Sequence, residues 1–492
     1  MQRKVQKLSA LGLRGAGGKD VDVTGITADS REVKPGFLFA ALPGSKTHGG
    51  EFIQYAVRMG AGSVLTDAAG AALAADWLKD VAVVVAEEPR AAFAGAAALF
   101  FGAQPATMVA VTGTNGKTSV ATFARQIWTL LGEDAVNIGT TGIEGAYEAP
   151  SLHTTPDPVT LHRHLAQMAE AGVTHAAMEA SSHGLDQFRL DGVRLKAAGF
   201  TNFTQDHLDY HHTFDAYFAA KAALFTRVLP DDGTAVLNID DAKGAELAET
   251  CRARGLQVLT VGAAVDADLR IITQRYEPAR QVLRIGWKNT VLQYHLNLIG
   301  GFQASNVLVA AGLCIASGSD PEAVFSVLPR LQTVRGRMQL AATRKNGATV
   351  FVDYAHTPDA IATALKALRP HVMGRIIAII GAGGDRDTTK RPLMGRAAAE
   401  NADLVIVTDD NPRSEEPALI RASVLAGVSE ATEVGDRAEA ILRGVDALEP
   451  GDALMICGKG HEPGQTIKGV TYPFDDVEQA SISVAALDGV AP

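Results

Sequence analysis

Cysteine is nearly absent: Cys251, Cys314 and Cys457 are the only ones in 492 residues. An odd and scattered set excludes a disulfide framework and argues against a Cys-ligated metal site, which leaves reduced, buried thiols. Long apolar runs are absent too. The longest candidate, residues 71–85, is broken by Asp76, Lys79 and Asp80, well short of the ~20 residues that a membrane-spanning helix needs. The N-terminus carries Arg3 and Lys4 but no apolar stretch behind them, so no signal peptide is expected. Basic excess is missing as well. Lys and Arg total 45 against 55 Asp and Glu, for a net charge of −10. A nucleic-acid partner would need a basic surface. Anionic small molecules need only local positive charge. A cytoplasmic protein without membrane insertion or nucleic-acid partner is expected, and a monomer.

The chain is too long for one core, and its length points to about three domains. Short strand patterns alternate with helical ones throughout, which predicts an α/β fold with mostly parallel sheets. The first segment ends in an Ala-rich helix near Arg90 to Phe101, and residues 102–105 read as a linker. The expected division is a smaller N-terminal α/β domain over 1–103, a central P-loop-type domain over 104–336 and a C-terminal Rossmann-like domain over 337–492. Alternation across 271–298 predicts antiparallel strands at an edge of the central block.

The most informative stretch is 108–119. Four residues fit for a buried strand run into Gly113-Thr114-Asn115-Gly116-Lys117-Thr118-Ser119, and a helical pattern follows with Val120, Phe123, Ile127 and Leu130 on one face. Glycines let backbone N–H groups crowd an anion, and a helix N-terminus favours negative charge. Lys117 supplies a point charge for phosphates, and the Thr118 hydroxyl suits Mg²⁺. The usual pattern has a Gly five residues before the Gly-Lys pair; here that position is Val111.

Other polar clusters follow apolar runs. Glu179-Ala-Ser181-Ser-His183 places a carboxylate at a strand end, where it is either a solvated turn residue or a Mg²⁺ ligand. Residues 203–212 hold Asp206, His207, Asp209, His211 and His212, a spacing open to a transition metal or to a second Mg²⁺. Lys221, on the helix that follows, reads by default as an exposed lysine. His153-Thr154-Thr155-Pro156 reads as a plain turn, and Asp29-Ser30-Arg31 as a turn or an anion contact. The last ~155 residues repeat strand then polar loop: 350–352 before Asp353-Tyr-Ala-His356, 376–380 before Gly384-Asp-Arg386-Asp387, 404–407 before Asp410-Asn411-Pro412-Arg413, and 453–456 before Gly458-Lys-Gly-His-Glu462. In open parallel sheets ligands bind beyond the carboxyl ends of strands, so these loops are expected to converge. Bidentate Arg suits a substrate carboxylate and Asp or Glu an ammonium. The set reads as a zwitterion pocket or as mutual surface ion pairs.

Taken together, 112–119, 179–183, Asp206-His207, Asn306, Arg335-Gly-Arg337 and 353–356 resemble the ATP-dependent Mur ligases of peptidoglycan synthesis, in order and over essentially the whole chain. Residues 153–156 and 410–413 resemble the branch that adds the third residue of the stem peptide, in its meso-diaminopimelate-specific form. That resemblance implies a ligase joining meso-diaminopimelate to UDP-N-acetylmuramoyl-L-alanyl-D-glutamate through an acyl phosphate, with ATP as co-substrate and Mg²⁺. It implies that 113–119 cradle the phosphates, that Thr118, Glu179 and His207 hold Mg²⁺, and that Lys221 is carbamylated to N6-carboxylysine, which replaces the exposed-lysine reading. Lys117, Glu179, His207 and Lys221 would form the catalytic set. Asn306, Arg337 and Asp353 would meet ATP. Ser30, Thr154, Thr155, Ser181, Gln187 and Arg189 would contact the UDP-muramoyl-dipeptide, and Arg386, Asp410, Asn411, Pro412, Arg413, Gly458 and Glu462 the diaminopimelate. The 45–47 loop, expected at the uracil, is not a distinctive match. A lysine-adding member of the branch and a ligase resembling folylpolyglutamate synthase are the alternatives.

Overall fold

The computed structural model describes residues 5–44, 47–79, 81–150, 153–204 and 208–489. The chain packs as two units, residues 1–269 with 308–325, and residues 270–307 with 326–492. The expected edge strands of 271–298 thus pack with the C-terminal part.

In the first unit, a four-stranded parallel sheet runs in the order Gly25–Thr27, Phe37–Ala40, Ser63–Thr66, Ala82–Val85. Apolar residues such as Leu38, Leu65 and Val84 face the helix Pro89–Phe101 through Phe93 and Ala97. The larger sheet of this unit centres on Thr107–Thr112. It lies between Leu195–Phe200 and His175–Glu179, and all three strands are parallel. Beyond them lie Thr234–Asn238 and Gln257–Gly262 on one side, and Ala135–Gly139 and Gly142–Gly145 on the other. Five of the six residues in Thr107–Thr112 are buried. A strand covered on both faces reads as a continuous apolar run rather than an alternating one, which is why 108–111 carries no period. Its carboxyl end therefore opens at the middle of the sheet edge, where parallel sheets hold ligands.

The second unit is built on a six-stranded sheet. Its order is Gln339–Thr343, Thr349–Asp353, Ala453–Cys457, Ile376–Ile380, Leu404–Val407, Thr432–Glu433, and only the first pair is antiparallel. Helices cover both faces, with Ile361, Leu365 and Met394 in one core and Ile441, Val445 and Val484 in the other. The strands Arg280–Trp287 and Thr290–Leu296 pair antiparallel, as the alternation predicts. A histidine ties this ribbon to the sheet's helices. His371 Nε2 accepts from Gly300 N at 3.1 Å, so its Nδ1–H donates to the Glu277 carbonyl at 2.7 Å. Burial holds its pKa below the usual histidine range, which keeps the ring in the neutral tautomer that these two bonds require. No described helix is long and apolar enough to cross a membrane.

Candidate active site

The strand Thr107–Thr112 ends in the Gly113–Gly116 turn, and the helix Lys117–Leu130 starts from Gly116 at φ 86°. Gly113 has φ 148°, and a Cβ there would lie 1.9 Å from Thr201 Oγ1. Only glycine fits. Two loop amides are already committed: Thr114 N donates to Asn202 O at 2.8 Å and Asn115 N to Asn202 Oδ1 at 3.0 Å. The N–H groups left for an anion then include that of Gly116 and those of the first turn of the helix, where intrahelical acceptors are lacking. Lys117 Nζ curls over the turn and donates to Gly113 O at 2.9 Å and Thr114 O at 2.8 Å. Lys221 is 1% exposed. Its Nζ donates to Gly113 O at 2.8 Å and lies 4.5 Å from the Tyr217 ring centroid. The default reading of an exposed lysine is therefore corrected: the helix Phe214–Ala223 turns this face inward under the phosphate turn.

Glu179 closes the strand His175–Glu179 and is 2% exposed. Its Oε1 accepts from Thr140 N at 2.9 Å, and a Cβ on Gly139 would lie 1.9 Å from that oxygen. Thr140 Oγ1 bonds Thr154 Oγ1 at 3.0 Å. Thr155 Oγ1 donates to Glu179 O at 2.9 Å and accepts from Ser181 N at 3.0 Å. Arg189 Nη1 donates to Thr155 O at 2.8 Å, and its Nη2 to Gln187 Oε1 at 2.8 Å. The 153–156 segment is thus more than a plain turn: it links the Glu179 carboxylate to Arg189. Arg189, Gln187 and Ser30 in turn line a cavity of about 970 Å³. Arg31, Arg90 and Arg163 stand in the same wall with Asp29, Glu32 and Asp157, and Arg31 is paired with Asp29, so Arg90, Arg163 and Arg189 are the cations that an anionic ligand would meet there.

The oxygen donors of Glu179 and Thr118 fit Mg²⁺, which is bound through one or two carboxylates and completes its shell with phosphate oxygens and water. Among the described residues no cluster of three or more His, Cys, Asp or Glu could hold a metal by itself. Asp206 and His207 lie outside the described residues, as do Ser45 and Lys46 of the expected uracil loop.

In the second unit the polar loops converge as expected. A Cβ on Gly458 would lie 2.4 Å from Asp410 Oδ2, so glycine lets the two loops touch. Asn411 Nδ2 donates to Asp410 Oδ1 at 3.0 Å and to Glu462 Oε2 at 2.8 Å. Arg413 sits at φ 51°, an uncommon conformation for a non-glycine residue. It is held there on three sides: its N donates to Thr466 O at 2.9 Å, its O accepts from Lys468 N at 2.6 Å, and its Nη1 donates to Gly384 O at 2.7 Å. Asn411, Arg413 and Glu462 line a pocket of about 270 Å³. Arg386 is not brought to that pocket; it stands exposed on the 381–387 loop. Asp353 Oδ2 accepts from Met338 N at 2.7 Å and Oδ1 from Ala355 N at 2.8 Å. Burial raises its pKa, opposed by Arg337 and by those two amides. Arg337 lies 4.8 Å over the Tyr354 ring. Asn306 Nδ2 donates to Gln303 Oε1 at 3.1 Å.

Sequence reasoning passed over several residues. Lys459 is fully buried inside the recognised 458–462 loop, donates to the Gly464 carbonyl and to Asn411 Oδ1, and has its pKa lowered by burial against the pull of Asp410. Its position between Gly458 and Gly460 was the available signal. Asn202, Thr140, Arg90 and Arg163 had none, because their partners are distant in sequence.

Three family models match: "Mur ligase family, catalytic domain" over residues 22–112, "Mur ligase middle domain" over 111–314 and "Mur ligase, glutamate ligase domain" over 336–460. The UDP-N-acetylmuramoyl-L-alanyl-D-glutamate–2,6-diaminopimelate ligase of Bradyrhizobium diazoefficiens is 50% identical over 471 residues, covering 95% of this chain and 96% of that protein. The protein of the same name from Caulobacter vibrioides is 50% identical over 479 residues, covering 96% of each. A solved structure of a ligase of that name aligns with a TM-score of 0.72 at 33% identity, over 94% of this chain and 95% of the other. With its polar loops set at the carboxyl ends of two parallel sheets and these matches spanning nearly its full length, the chain belongs to the Mur ligase family.

Proposed function

We propose that this protein is an ATP-dependent ligase that joins meso-diaminopimelate to the D-Glu γ-carboxylate of UDP-N-acetylmuramoyl-L-alanyl-D-glutamate, giving the tripeptide, ADP and phosphate in peptidoglycan synthesis. It would act in the cytoplasm as a monomer. The observation that carries the amino-acid half is the small pocket in which a cation, Arg413, and a carboxylate, Glu462, stand together. Opposite charges in one pocket match a zwitterion. The large cavity with Arg189 and Gln187 would seat the nucleotide-linked dipeptide.

The reaction starts with transfer of the γ-phosphoryl group to the dipeptide carboxylate. Two anions must approach, and the positive groups of the site offset their repulsion. Lys117 would leave its two carbonyl partners for the phosphoryl oxygens, and the first helical turn would hold the rest of the triphosphate. Mg²⁺ held by Thr118, Glu179 and His207 would supply further charge neutralisation. Thr154 and Thr155, bonded to the Glu179 segment, would align the dipeptide carboxylate. The amine then attacks the acyl carbon and phosphate leaves, while Arg413 and Glu462 hold the far end of the diamino acid. Asn306, Arg337 and Asp353 are proposed to meet the nucleotide. We place the domain boundaries at 103/104 and 336/337.

ADP release is to be measured with the UDP-muramoyl-dipeptide and a panel of amino acids. Turnover dependent on meso-diaminopimelate is expected; turnover with L-lysine and none with meso-diaminopimelate overturns the specificity. Arg413→Ala raises the KM for diaminopimelate by ~30-fold or more, the scale of a lost charge-assisted contact, and leaves the KM for ATP within twofold. Equal rises in both would refute the pocket assignment. Lys221→Ala lowers kcat by on the order of 10², and a short carboxylic acid added to the assay restores part of it by replacing the carbamate. Undiminished activity of the variant removes Lys221 from the catalytic set.

A further inference from the structure

The pocket of Arg413 and Glu462 has a wall that none of the expected diaminopimelate residues supplies. It is the hairpin of Gly464–Ile467 and Val470–Pro473. Its turn is Lys468-Gly469, with φ 48° and 81°, both in the left-handed region that two-residue hairpin turns favour. The hairpin is fastened to the 410–413 loop. Gln465 Nε2 donates to Asp410 O at 2.6 Å, Thr466 N donates to Asn411 Oδ1 at 2.9 Å, and Ile467 forms a parallel bridge with Arg413. Thr466 and Thr471 are cross-strand partners, and both line the pocket. Their hydroxyl oxygens are 3.0 Å apart.

We propose that the Thr466–Thr471 hydroxyl pair is a specificity determinant that completes, with Arg413, the seat for the distal carboxylate of a diaminodicarboxylate; this rests on the ligase reading above. Three observations lead there. The Asn411 amide is spent: both its protons go to Asp410 and Glu462, and its oxygen accepts from Thr466 N and Lys459. A carboxylate presents about four lone-pair sites, and the Arg413 guanidinium, with Nη1 already donating to Gly384 O, does not fill them all. The two hydroxyls hold two protons, and their mutual bond uses one. The other is a neutral donor at the pocket wall, held by a hairpin whose position is fixed by the same loop that fixes Arg413. L-lysine has no carboxylate at that end. Bound lysine would leave the free hydroxyl to water, since Thr471 is exposed, so the hydroxyls favour the ligand that carries the second carboxylate without penalising lysine.

Steady-state kinetics of the full-length protein test this with Thr466→Val and Thr471→Val, which keep shape and remove the hydroxyl, and with Thr466→Ser, which keeps it. Meso-diaminopimelate-dependent turnover by the unaltered protein tests the ligase reading separately. In each valine variant the KM for diaminopimelate rises about tenfold, the KM for ATP stays within twofold, and kcat/KM for L-lysine is unchanged. Thr466→Ser restores the original KM. A diaminopimelate KM within twofold of the unaltered protein, an equal rise in the KM for ATP, or an equal fall in kcat/KM for lysine overturns the proposal.

Discussion

Replacing Lys117 with alanine lowers kcat for ADP formation by on the order of 10³, about 4 kcal/mol of barrier. Thermal stability is expected to stay near that of the unaltered protein, because Nζ bonds to the carbonyls of Gly113 and Thr114 at the mouth of a loop rather than in a core. The turn itself is held by Asn202 through two backbone amides, and those bonds do not involve the lysine side chain. The loss therefore falls on the transition state, where charge spreads over the transferring phosphoryl oxygens and a fixed cation matters most. Lys117→Arg keeps the charge but cannot follow the same path around the turn, so it recovers little. Rapid-quench measurement of phosphoryl transfer and a thermal melt on the same preparations decide the matter. A kcat within tenfold of the original would remove Lys117 from the chemistry.

The largest expected loss of stability lies in the second unit. Arg437 and Asp476 are both at 0% side-chain exposure and pair in a two-pronged bond, Nε to Oδ1 at 2.7 Å and Nη2 to Oδ2 at 2.7 Å. The same guanidinium donates to Cys457 O at 2.9 Å and Asp409 O at 3.3 Å. It thus fastens the ends of Leu404–Val407 and Ala453–Cys457 from which the Asp410 and Gly458 loops depart. Asp476→Ala leaves a buried cation unpaired, at a cost of about 3–5 kcal/mol, and a melting temperature lower by roughly 10 °C. Replacing both partners with apolar residues of similar volume recovers most of that stability. It does not restore the loops, so the KM for diaminopimelate stays raised in the double variant. A single variant that melts within 2–3 °C of the original, roughly a 1 kcal/mol change, would show that the pair contributes little.

How much of this was legible in the sequence depended on how local the cause was. The phosphate turn was legible because its strand, glycines and helix follow one another within 108–130. The C-terminal sheet was legible because each apolar run is followed at once by its polar loop. Lys221 was not legible from its own surroundings: its partner Gly113 lies 108 residues away, and nothing in 214–223 says which face turns inward. The commitment of two loop amides to Asn202, 87 residues on, escaped for the same reason. The hairpin after Glu462 escaped because its one local signal, Lys468-Gly469, is a weak turn pair without the Asn or Asp that usually marks such turns. Arg386, exposed and outside the wall of the Arg413 pocket, shows a different limit. Its loop was placed beyond the correct strand, but strand order says where a loop emerges and not which side chain faces the pocket.

The turn 335–338 and the 458–462 loop are in contact without any space between them. A Cβ on Gly336 would lie 2.3 Å from His461 N and 2.4 Å from Gly460 C. Gly336 O accepts from Tyr354 N at 2.8 Å, Asp353 holds Met338 N, and the Tyr354 ring packs against both Arg337 and His461. Arg337 and Glu462 are therefore joined through packed backbone and one aromatic ring, with no loose loop between them. A substitution that breaks the Gly336–Gly460 contact is expected to disturb the surroundings of both side chains at once.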